Sequence, residues 1–514
     1  MALFTPSASP SITVKEIDLT GVVPAVTTST GAITGEFSWG PAGTAVLIDN
    51  EATLVSTFGS PSITNAVDFL SASSFLRYST SLYVARVMTD SAGNACDSSE
   101  SFGSIPLIKN STAFDNQKAT LTSDNHTFLA KYPGSAGNSL EVQVCPQSAA
   151  DATYDAWAYR SYFDGAPSSS TYATNASGNN DEIHVVVLDK LGSLTGTPGS
   201  VLETFPYLSL ATDAKTNDGT GNNVLDVINN RSTYVWAVSL NNSADVANAT
   251  FDEASTAAGN GSGTNFALAS PTTKTFNLGS GSNGGTIGTS QILQGFDEFE
   301  STEDIQVDFL IAPGMAAAAD QATVVNDLVG TAASLRKDCI VVTSPDRTAV
   351  IGQTPAAAVT SSVTTAGQFT SSSYLVVDNN YLKVYDKYND QYVFIPAAAS
   401  TAGLMAATDA VAAPWFSPAG NRRGQYFGVT SLSYTANKSQ RDTLYKSGIN
   451  PIVNLPGQGV ILFGDKTKES RPSAFDRINV RRLFLAVERA IAAAARNVMF
   501  EFNDEFTRAE FVNI

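Results

Sequence analysis

The chain of 514 residues contains few of the residues on which catalytic and metal sites usually depend. It has only three cysteines and two histidines. Cys96, Cys145 and Cys339 are widely spaced and odd in number, which excludes a disulfide framework and a paired-cysteine zinc site. We expect all three to be small buried or strand residues. The sequence therefore predicts neither a cofactor nor a metal site.

Long apolar runs and an N-terminal export signal are also missing. No run of about 18 apolar residues occurs, and Met1–Pro10 has neither the basic nor the apolar region of a signal peptide. We therefore expect no membrane insertion and a protein that stays in the cytoplasm where it is made.

Positive charge is scarce and unevenly placed. The chain has 30 Lys and Arg against 48 Asp and Glu, a net charge of −18 at pH 7. Residues 437–514 hold 12 of these cations but only 9 of the anions, so this portion carries +3 and the remainder carries −21. The overall charge opposes direct binding of nucleic acid. The asymmetry suggests that the two regions meet different partners.

A strong helical pattern lies near the C-terminus, after a capping-box-like start at Ser473 and Asp476. Its apolar residues recur at helical spacing, so we predict that they line one side of a helix and pack inward. This apolar stripe comprises Val480, Leu483, Phe484, Val487, Ile491, Ala494, Ala495 and Val498. Several arginines lie largely off the stripe, and they either face solvent or bind a partner. The charge asymmetry favours a partner.

Two separated stretches share an α/β pattern. Ala45–Ile48 and Leu82–Val87 are predicted strands of the first stretch. In the second, predicted strands Ile305–Ile311 and Cys339–Thr343 flank a predicted helix, Gln321–Arg336, as a βαβ unit with parallel pairing. One discontinuous α/β domain, built from residues 21–88 and 297–447, explains both stretches.

The residues between these stretches, 89–296, are crowded with Asn, Ser, Thr and Gly, a composition typical of solvent-facing loops. We predict an inserted β-rich domain that projects outward, with Trp157 and Trp236 in its core. Its strand candidates are Leu140–Val144, Ile183–Leu188 and Tyr234–Leu240.

Enzymatic sites find little support. His126 and His184 each have an aspartate nearby, at Asp124 and Asp181, so a hydrolytic triad is conceivable, but a Gly-x-Ser-x-Gly motif is missing. The acidic run Asp297–Asp304 lacks the ligand pattern of a calcium loop, and we predict a solvated helix start there. We therefore expect the protein not to be an enzyme.

Motifs along most of the chain, apart from a variable middle, resemble those of tail sheath proteins from contractile-tailed bacteriophages. The C-terminal portion carries the longest of them: Ile449–Val453, Gly457–Thr467, Pro472–Phe484 and Phe500–Arg508. Shorter motifs follow the family order upstream: Phe37–Ala42, Thr57–Gly59, Tyr132–Asn138, Tyr385–Asp390, and Ser417–Gly420 followed by Arg423–Gly424.

The resemblance implies a multidomain α+β and α/β fold. The discontinuous α/β domain with its inserted β-rich outer domain would be joined by an α/β closing domain, residues 448–514, formed together with an N-terminal arm, residues 1–20. Chains of this family continue past the last motif, so we expect the closing domain to be incomplete at Ile514.

The arm and the arginines form the predicted assembly interface. In the arm, Ile12 and Val14 alternate with polar residues as in a strand that needs cover from another segment, and in the family this arm packs with the closing domain or adds to a neighbouring subunit's sheet. The full set of candidate residues is Ile12, Val14, Lys15, Arg477, Arg481, Arg482, Arg489 and Arg496.

The function implied by the resemblance is mechanical. Copies would polymerise as helically stacked hexameric rings around the tail tube and contract from a metastable extended state, driving the tube through the host envelope. Implied partners are further copies, the tail tube protein, and the baseplate and tail terminator proteins, in the host cytoplasm before assembly and in the virion afterwards. Three alternatives remain open: the sheath of a bacterial contractile injection system, a surface-layer or adhesin protein, and a tail-borne glycan-cleaving enzyme.

Overall fold

A computed structural model of the chain describes residues 29–97, 105–123, 126–240, 255–258, 263–268, 271–496, 499–505, 508, 509 and 511. The predicted arm residues Ile12, Val14 and Lys15 lie outside the described residues, as does Val498 of the apolar stripe. None of the helices among the described residues combines the length and apolar character needed to cross a membrane.

The strands of the described residues, in chain order, are β1 (Gly31–Gly35), β2 (Ala45–Ile48), β3 (Leu82–Arg86), β4 (Cys96–Asp97), β5 (Phe128–Ala130), β6 (Leu140–Pro146), β7 (Glu182–Asp189), β8 (Ser200–Ser209), β9 (Val235–Ala237), β10 (Lys274–Gly279), β11 (Phe309–Ile311), β12 (Ile340–Thr343), β13 (Leu375–Val377), β14 (Tyr381–Asp386), β15 (Gln391–Pro396), β16 (Ser431–Leu432), β17 (Ile452–Leu455) and β18 (Gly459–Leu462).

The helices are α1 (Glu51–Phe58), α2 (Ala66–Leu76), α3 (Ser111–Ser123), α4 (Ala152–Ala156), α5 (Thr171–Asn175), α6 (Val224–Arg231), α7 (Thr289–Asp297), α8 (Ala318–Gly330), α9 (Arg347–Val350), α10 (Pro355–Gly367), α11 (Ala398–Val411), α12 (Lys438–Lys446) and α13 (Ile478–Arg496). A wider helical turn, Thr331–Arg336, extends α8.

A six-stranded sheet in the order β13-β12-β11-β1-β3-β2 joins the two α/β stretches, because β1 pairs in parallel with both β3 and β11. β11 and β12 also pair in parallel, with Phe309 opposite Ile340 and α8 between them in the chain, so the predicted βαβ unit is confirmed. Its first strand begins at Phe309 rather than at Ile305. The Ile305 carbonyl instead accepts from the Arg336 guanidinium, and the Thr30 N–H donates to the Asp308 side chain.

Helices cover both faces of this sheet. Successive strand residues point to opposite faces, so Ile33 and Ile311 pack with α2 and α11, whereas Ala32 and Leu310 pack with α7, α8 and α10. Strands buried on both faces are mostly apolar, as in other parallel sheets, and β11 (Phe309–Ile311) and β13 (Leu375–Val377) are entirely so. The prediction of a helix start within Asp297–Asp304 is wrong, because α7 ends at Asp297.

A seven-stranded antiparallel sheet, β8-β7-β6-β10-β4-β5-β9, forms within residues 89–296. Trp157 and Trp236 are buried in this region, as predicted. Trp236 stacks on Phe114 at 4.2 Å and Trp157 on Phe163 at 5.2 Å, in two clusters separate from the largest one. The indole N–H of Trp236 donates to the Lys131 carbonyl and that of Trp157 to the Gln143 side chain, so both buried polar groups have partners.

Two smaller antiparallel sheets complete a mixed α/β fold. The three-stranded sheet β15-β14-β16 is a feature that the sequence patterns did not predict. The Tyr385–Asp390 motif forms its turn, where Asp386 accepts hydrogen bonds from the Tyr388 and Asn389 N–H groups. The second sheet is the hairpin β17–β18. The domain boundaries 1–20, 21–88 with 297–447, 89–296 and 448–514 stay a prediction.

Candidate assembly surface

Helix α13 lies across the N-terminal ends of strands β11 and β13 of the six-stranded sheet. Arg489 near its end contacts Asp308, the residue before β11, and Arg481 nearer its start contacts Ser373, two residues before β13. The arginine side of the helix therefore faces the body of the chain.

Two of these arginines form buried ion pairs. Arg482 Nη2 lies 2.5 Å from Asp409 Oδ2, and the two side chains are only 4% and 8% exposed. Arg489 Nη1 lies 2.5 Å from Asp308 Oδ1, and its Nη2 donates to the Asp338 carbonyl at 2.9 Å. Buried pairs of this kind are tolerated when additional hydrogen bonds satisfy the remaining donors. Burial raises the pKa of Asp308 to about 6, although Arg489 acts in the opposite direction.

Arg481 is held by aromatic rings. Its guanidinium lies 4.3 Å from the centre of the Tyr374 ring and 4.1 Å from that of Phe475. It also donates to Ser373 Oγ at 2.6 Å. Cation–π contacts compensate part of the desolvation of a buried cation, so this arginine packs as a core residue.

The prediction that the apolar stripe packs inward is wrong. Phe484, Val487 and Ile491 are 42%, 45% and 53% exposed, whereas Ile478 and Leu485 are buried. The helix turns Arg489 and Arg482 inward because Asp308 and Asp409 are buried carboxylates that need cations. These partners lie 181 and 73 residues away in sequence, so no local pattern could have revealed the orientation.

The five predicted interface arginines thus differ in how far they are available for contacts with another chain. Arg481, Arg482 and Arg489 already have partners within the chain. Arg477 binds Asp465 at 2.7 Å and remains partly exposed, and Arg496 is exposed. A role of these residues in contacts between chains stays a prediction.

The hairpin β17–β18 presents a second uncovered feature. On the β18 side, the Tyr426 N–H donates to the Val460 carbonyl, so a neighbouring segment covers that edge. On the β17 side, the Ile452 N–H donates outward to the Asn379 side chain. By the alternation of an antiparallel ladder, the N–H and carbonyl of Asn454 point outward too, and Asn454 is exposed. We call this the open edge of β17.

The histidines do not form the conceivable triad. His184 accepts from the Tyr207 N–H at Nδ1 and contacts the Gly165 carbonyl through Nε2, so both ring nitrogens are occupied. Asp181 instead accepts hydrogen bonds from Ser170. Burial lowers the pKa of His184. His126 is buried, and Asp124 lies outside the described residues.

The three cysteines are free and buried, as predicted. Burial raises the pKa of Cys96 and of Cys145 to about 12. A thiol with a raised pKa is a poor nucleophile at neutral pH, so these cysteines are packing residues.

An exposed apolar helix face and an open strand edge are both typical of a structural subunit whose surfaces other chains cover. Comparison with known proteins identifies which structural family this is. Residues 285–468 match the family model of the phage tail sheath protein central domain, and residues 28–87 match the N-terminal region of tail sheath protein Gp18 domain III.

Curated relatives agree over nearly the whole chain. The tail sheath protein of Salmonella phage ViI is 30% identical, covering 100% of this chain and 88% of its own length. That of Enterobacteria phage T4 is 29% identical, over 98% of this chain and 88% of its own. A sheath tail protein from Listeria innocua shares the fold, with a TM-score of 0.55 and 12% identity over 95% of this chain and 84% of that one. The chain belongs to the tail sheath protein family of contractile-tailed bacteriophages.

Proposed function

We propose that this chain is the structural subunit of a contractile tail sheath, which polymerises with further copies as helically stacked hexameric rings around a tail tube. The tube protein would line the inner face of the array, and baseplate and tail terminator proteins would meet its two ends. Subunits would accumulate in the host cytoplasm and then enter the virion. Family membership supports this proposal.

The observation that carries the proposal is the uncovered apolar side of α13. Phe484, Val487 and Ile491 follow one another at helical spacing, and each is more than two-fifths exposed. Exposed apolar side chains grouped on one helix face are typical of protein interaction sites. A copy of the chain that covers this face would bury it without disturbing the ion pairs on the opposite side.

The open edge of β17 supplies a second contact. A two-stranded hairpin is marginally stable by itself, and its outward N–H and carbonyl groups at Asn454 are suited to an added strand. The arm of a neighbouring copy, with Ile12, Val14 and Lys15, would provide that strand. Such an exchanged strand would tether subunits while they slide past each other. Arg477 and Arg496 remain candidates for contacts to the tube or to an adjacent copy.

Contraction then requires only that the contracted array bury slightly more apolar surface per subunit than the extended array. An additional 20–40 Å² of apolar burial per subunit would contribute about 0.5–1 kcal/mol at about 25 cal/mol per Å². Summed over the many subunits of a long array, such a difference would drive movement of the tube with no nucleotide.

Electron microscopy and sedimentation of the purified chain test the proposal. We expect tubes or stacked rings from the unaltered chain, and soluble folded monomers from Val487→Asp/Ile491→Asp. Leu191→Asp is the matched control, because Leu191 is 61% exposed but lies beside the antiparallel sheet. Monomers from the unaltered chain at all concentrations would contradict the proposal, as would unaltered tubes from the double variant.

A further inference from the structure

A cleft rich in cations opens between α10, the end of α12 and the segment that follows the hairpin. It has a volume of about 640 Å³ and is lined by Lys446, Lys466, Lys468 and Arg471. We call this the basic cleft. It is the size of a binding site for a short peptide segment rather than for one side chain.

The cations of the basic cleft lack carboxylate partners in the part of the chain that the structure describes. Among the described residues, none of the four forms an ion pair. Lys466 and Lys468 donate to the Tyr445 and Ser447 carbonyls at the end of α12, which fixes their ammonium groups at the cleft wall. The Lys466 ammonium also lies 4.4 Å from the centre of the Tyr445 ring. None of these contacts brings a negative charge to the lysines. Two carboxylates also line the cleft, and Asp476 already lies 3.6 Å from Arg477. An excess of positive charge therefore remains.

An acidic segment, residues 297–304, presents the complementary surface. Its carboxylates are exposed and form no ion pair within the described residues; they belong to Asp297, Glu298, Glu300, Glu303 and Asp304. The backbone of the segment is held in one shape, because the buried Arg336 guanidinium donates to the Phe299, Ser301 and Ile305 carbonyls. The side chain of Phe299 is fully buried beneath it. A pre-shaped segment loses little entropy on binding.

We propose that the basic cleft of one subunit binds the acidic segment of a neighbouring copy. The inference rests on the proposed function, since it requires copies to meet in an array. The two clusters have opposite signs and form no ion pairs with the rest of the described chain. Copies of net charge −18 otherwise repel each other, so an attraction between these clusters would favour contact between copies. The two surfaces differ, so the contact is head-to-tail, and contacts of this kind generate open helical arrays or rings.

A charge-exchange experiment tests the inference. The basic-reversal variant carries Lys446→Glu and Arg471→Glu, which leave the lysines that cap α12 in place. The acidic-reversal variant carries Glu300→Lys and Glu303→Lys, and a third chain carries all four substitutions. Lys215→Glu/Arg231→Glu is the control, because both of these residues are exposed cations of the antiparallel part. The critical concentration for assembly is measured by sedimentation, with circular dichroism to verify folding.

We expect each reversal variant to raise the critical concentration about tenfold. The chain with all four substitutions should have a critical concentration within about threefold of that of the unaltered chain. The control should not change the critical concentration. The inference would be overturned if the chain with all four substitutions assembled no better than the reversal variants. It would also be overturned if only the basic-reversal variant assembled less well, since the basic cleft would then bind a different anion. An unaltered chain that never assembles would overturn the proposed function and this inference together, whereas normal arrays from both reversal variants would overturn the inference alone.

Discussion

Arginine suits the inward face of α13 because its guanidinium has five donors in a fixed planar arrangement. Arg482 uses them for the Asp409 carboxylate and the Met405 carbonyl, and its planar group lies 5.2 Å from the Phe309 ring centre. A lysine could form the ion pair but could not also make these planar contacts. At the scale of the residue, the guanidinium charge of Arg482 therefore stabilises the fold of its own chain.

We predict that Arg482→Ala destabilises the monomer by about 3–5 kcal/mol, because it removes the cation from the buried Asp409 carboxylate. Arg496→Ala, at an exposed position of the same helix, should change stability by less than about 0.5 kcal/mol. Urea unfolding of both variants measures the difference. Equal stabilities would show that the Arg482 side chain is not buried as described.

A second buried carboxyl predicts a pH dependence. Asp378 is fully buried and accepts hydrogen bonds from Ser344 and Thr401, and burial raises its pKa to about 7. Its unfolded pKa is ~3.9, so the folded state binds the proton more tightly. The stability that Asp378 contributes is therefore fully present below pH ~3.9 and is lost as the pH rises towards 7.

Asp378→Asn removes this titration. Relative to the unaltered chain, the variant should gain about 2 kcal/mol between pH 5 and pH 8, measured by urea unfolding at each pH. Asp218→Asn is the control, since Asp218 is an exposed aspartate. A stability difference between Asp378→Asn and the unaltered chain that does not vary with pH would contradict the prediction.

At the scale of the element, α13 and the hairpin β17–β18 share one property. Each has partners on the side that faces the chain and lacks them on the other side within the described residues. Helix α13 buries Arg481 and Arg482 and exposes Phe484, Val487 and Ile491. The hairpin has a covered β18 edge and the open edge of β17. An element with one unsatisfied side is marginal alone and gains stability from a neighbour. Assembly and the ordering of these elements are therefore expected to be coupled.

Proline substitutions separate the two sides of β17. Asn454→Pro should leave the monomer folded, because its N–H points away from β18, but it should raise the critical concentration for assembly at least tenfold by removing an outward donor. Val453→Pro should instead destabilise the monomer by about 3 kcal/mol, since this N–H belongs to the ladder with β18. Thermal unfolding and sedimentation distinguish the variants. Normal assembly of Asn454→Pro would show that no strand adds at this edge.

At the scale of the whole molecule, the sequence predicted elements whose stabilisation is local and missed arrangements that depend on distant partners. The βαβ unit was predictable because apolar runs such as Cys339–Thr343 flank a segment whose apolar residues recur at helical spacing. The three-stranded sheet was missed because Tyr385–Asp390 is dominated by polar turn residues. The orientation of α13 was missed because nothing near Arg482 and Arg489 in sequence identifies Asp409 and Asp308 as their partners.

The chain enters and leaves the part that contains the seven-stranded sheet at two neighbouring residues, Gly93 and Ser282. Gly93 and Ser282 exchange two backbone hydrogen bonds at 2.9 and 3.0 Å, so their Cα atoms are about 5.5 Å apart and a short Gly-Ser linker can replace residues 94–281. Arg86 would lose the Pro133 carbonyl but keep those of Phe37 and Gly40.

The shortened chain should fold if the surface that the excision uncovers is made polar. Trp39 is buried and packs against the rings of Tyr132 and Tyr234, so Trp39→Gln should accompany the excision, and the shortened chain that keeps Trp39 is the control for aggregation. We expect cooperative thermal unfolding and, in electron micrographs, tubes of smaller outer diameter, because the six-stranded sheet, α13 and β17 all remain. A shortened Trp39→Gln chain that folds but forms no tubes would place essential contacts between copies on the excised sheet rather than on α13 and the hairpin.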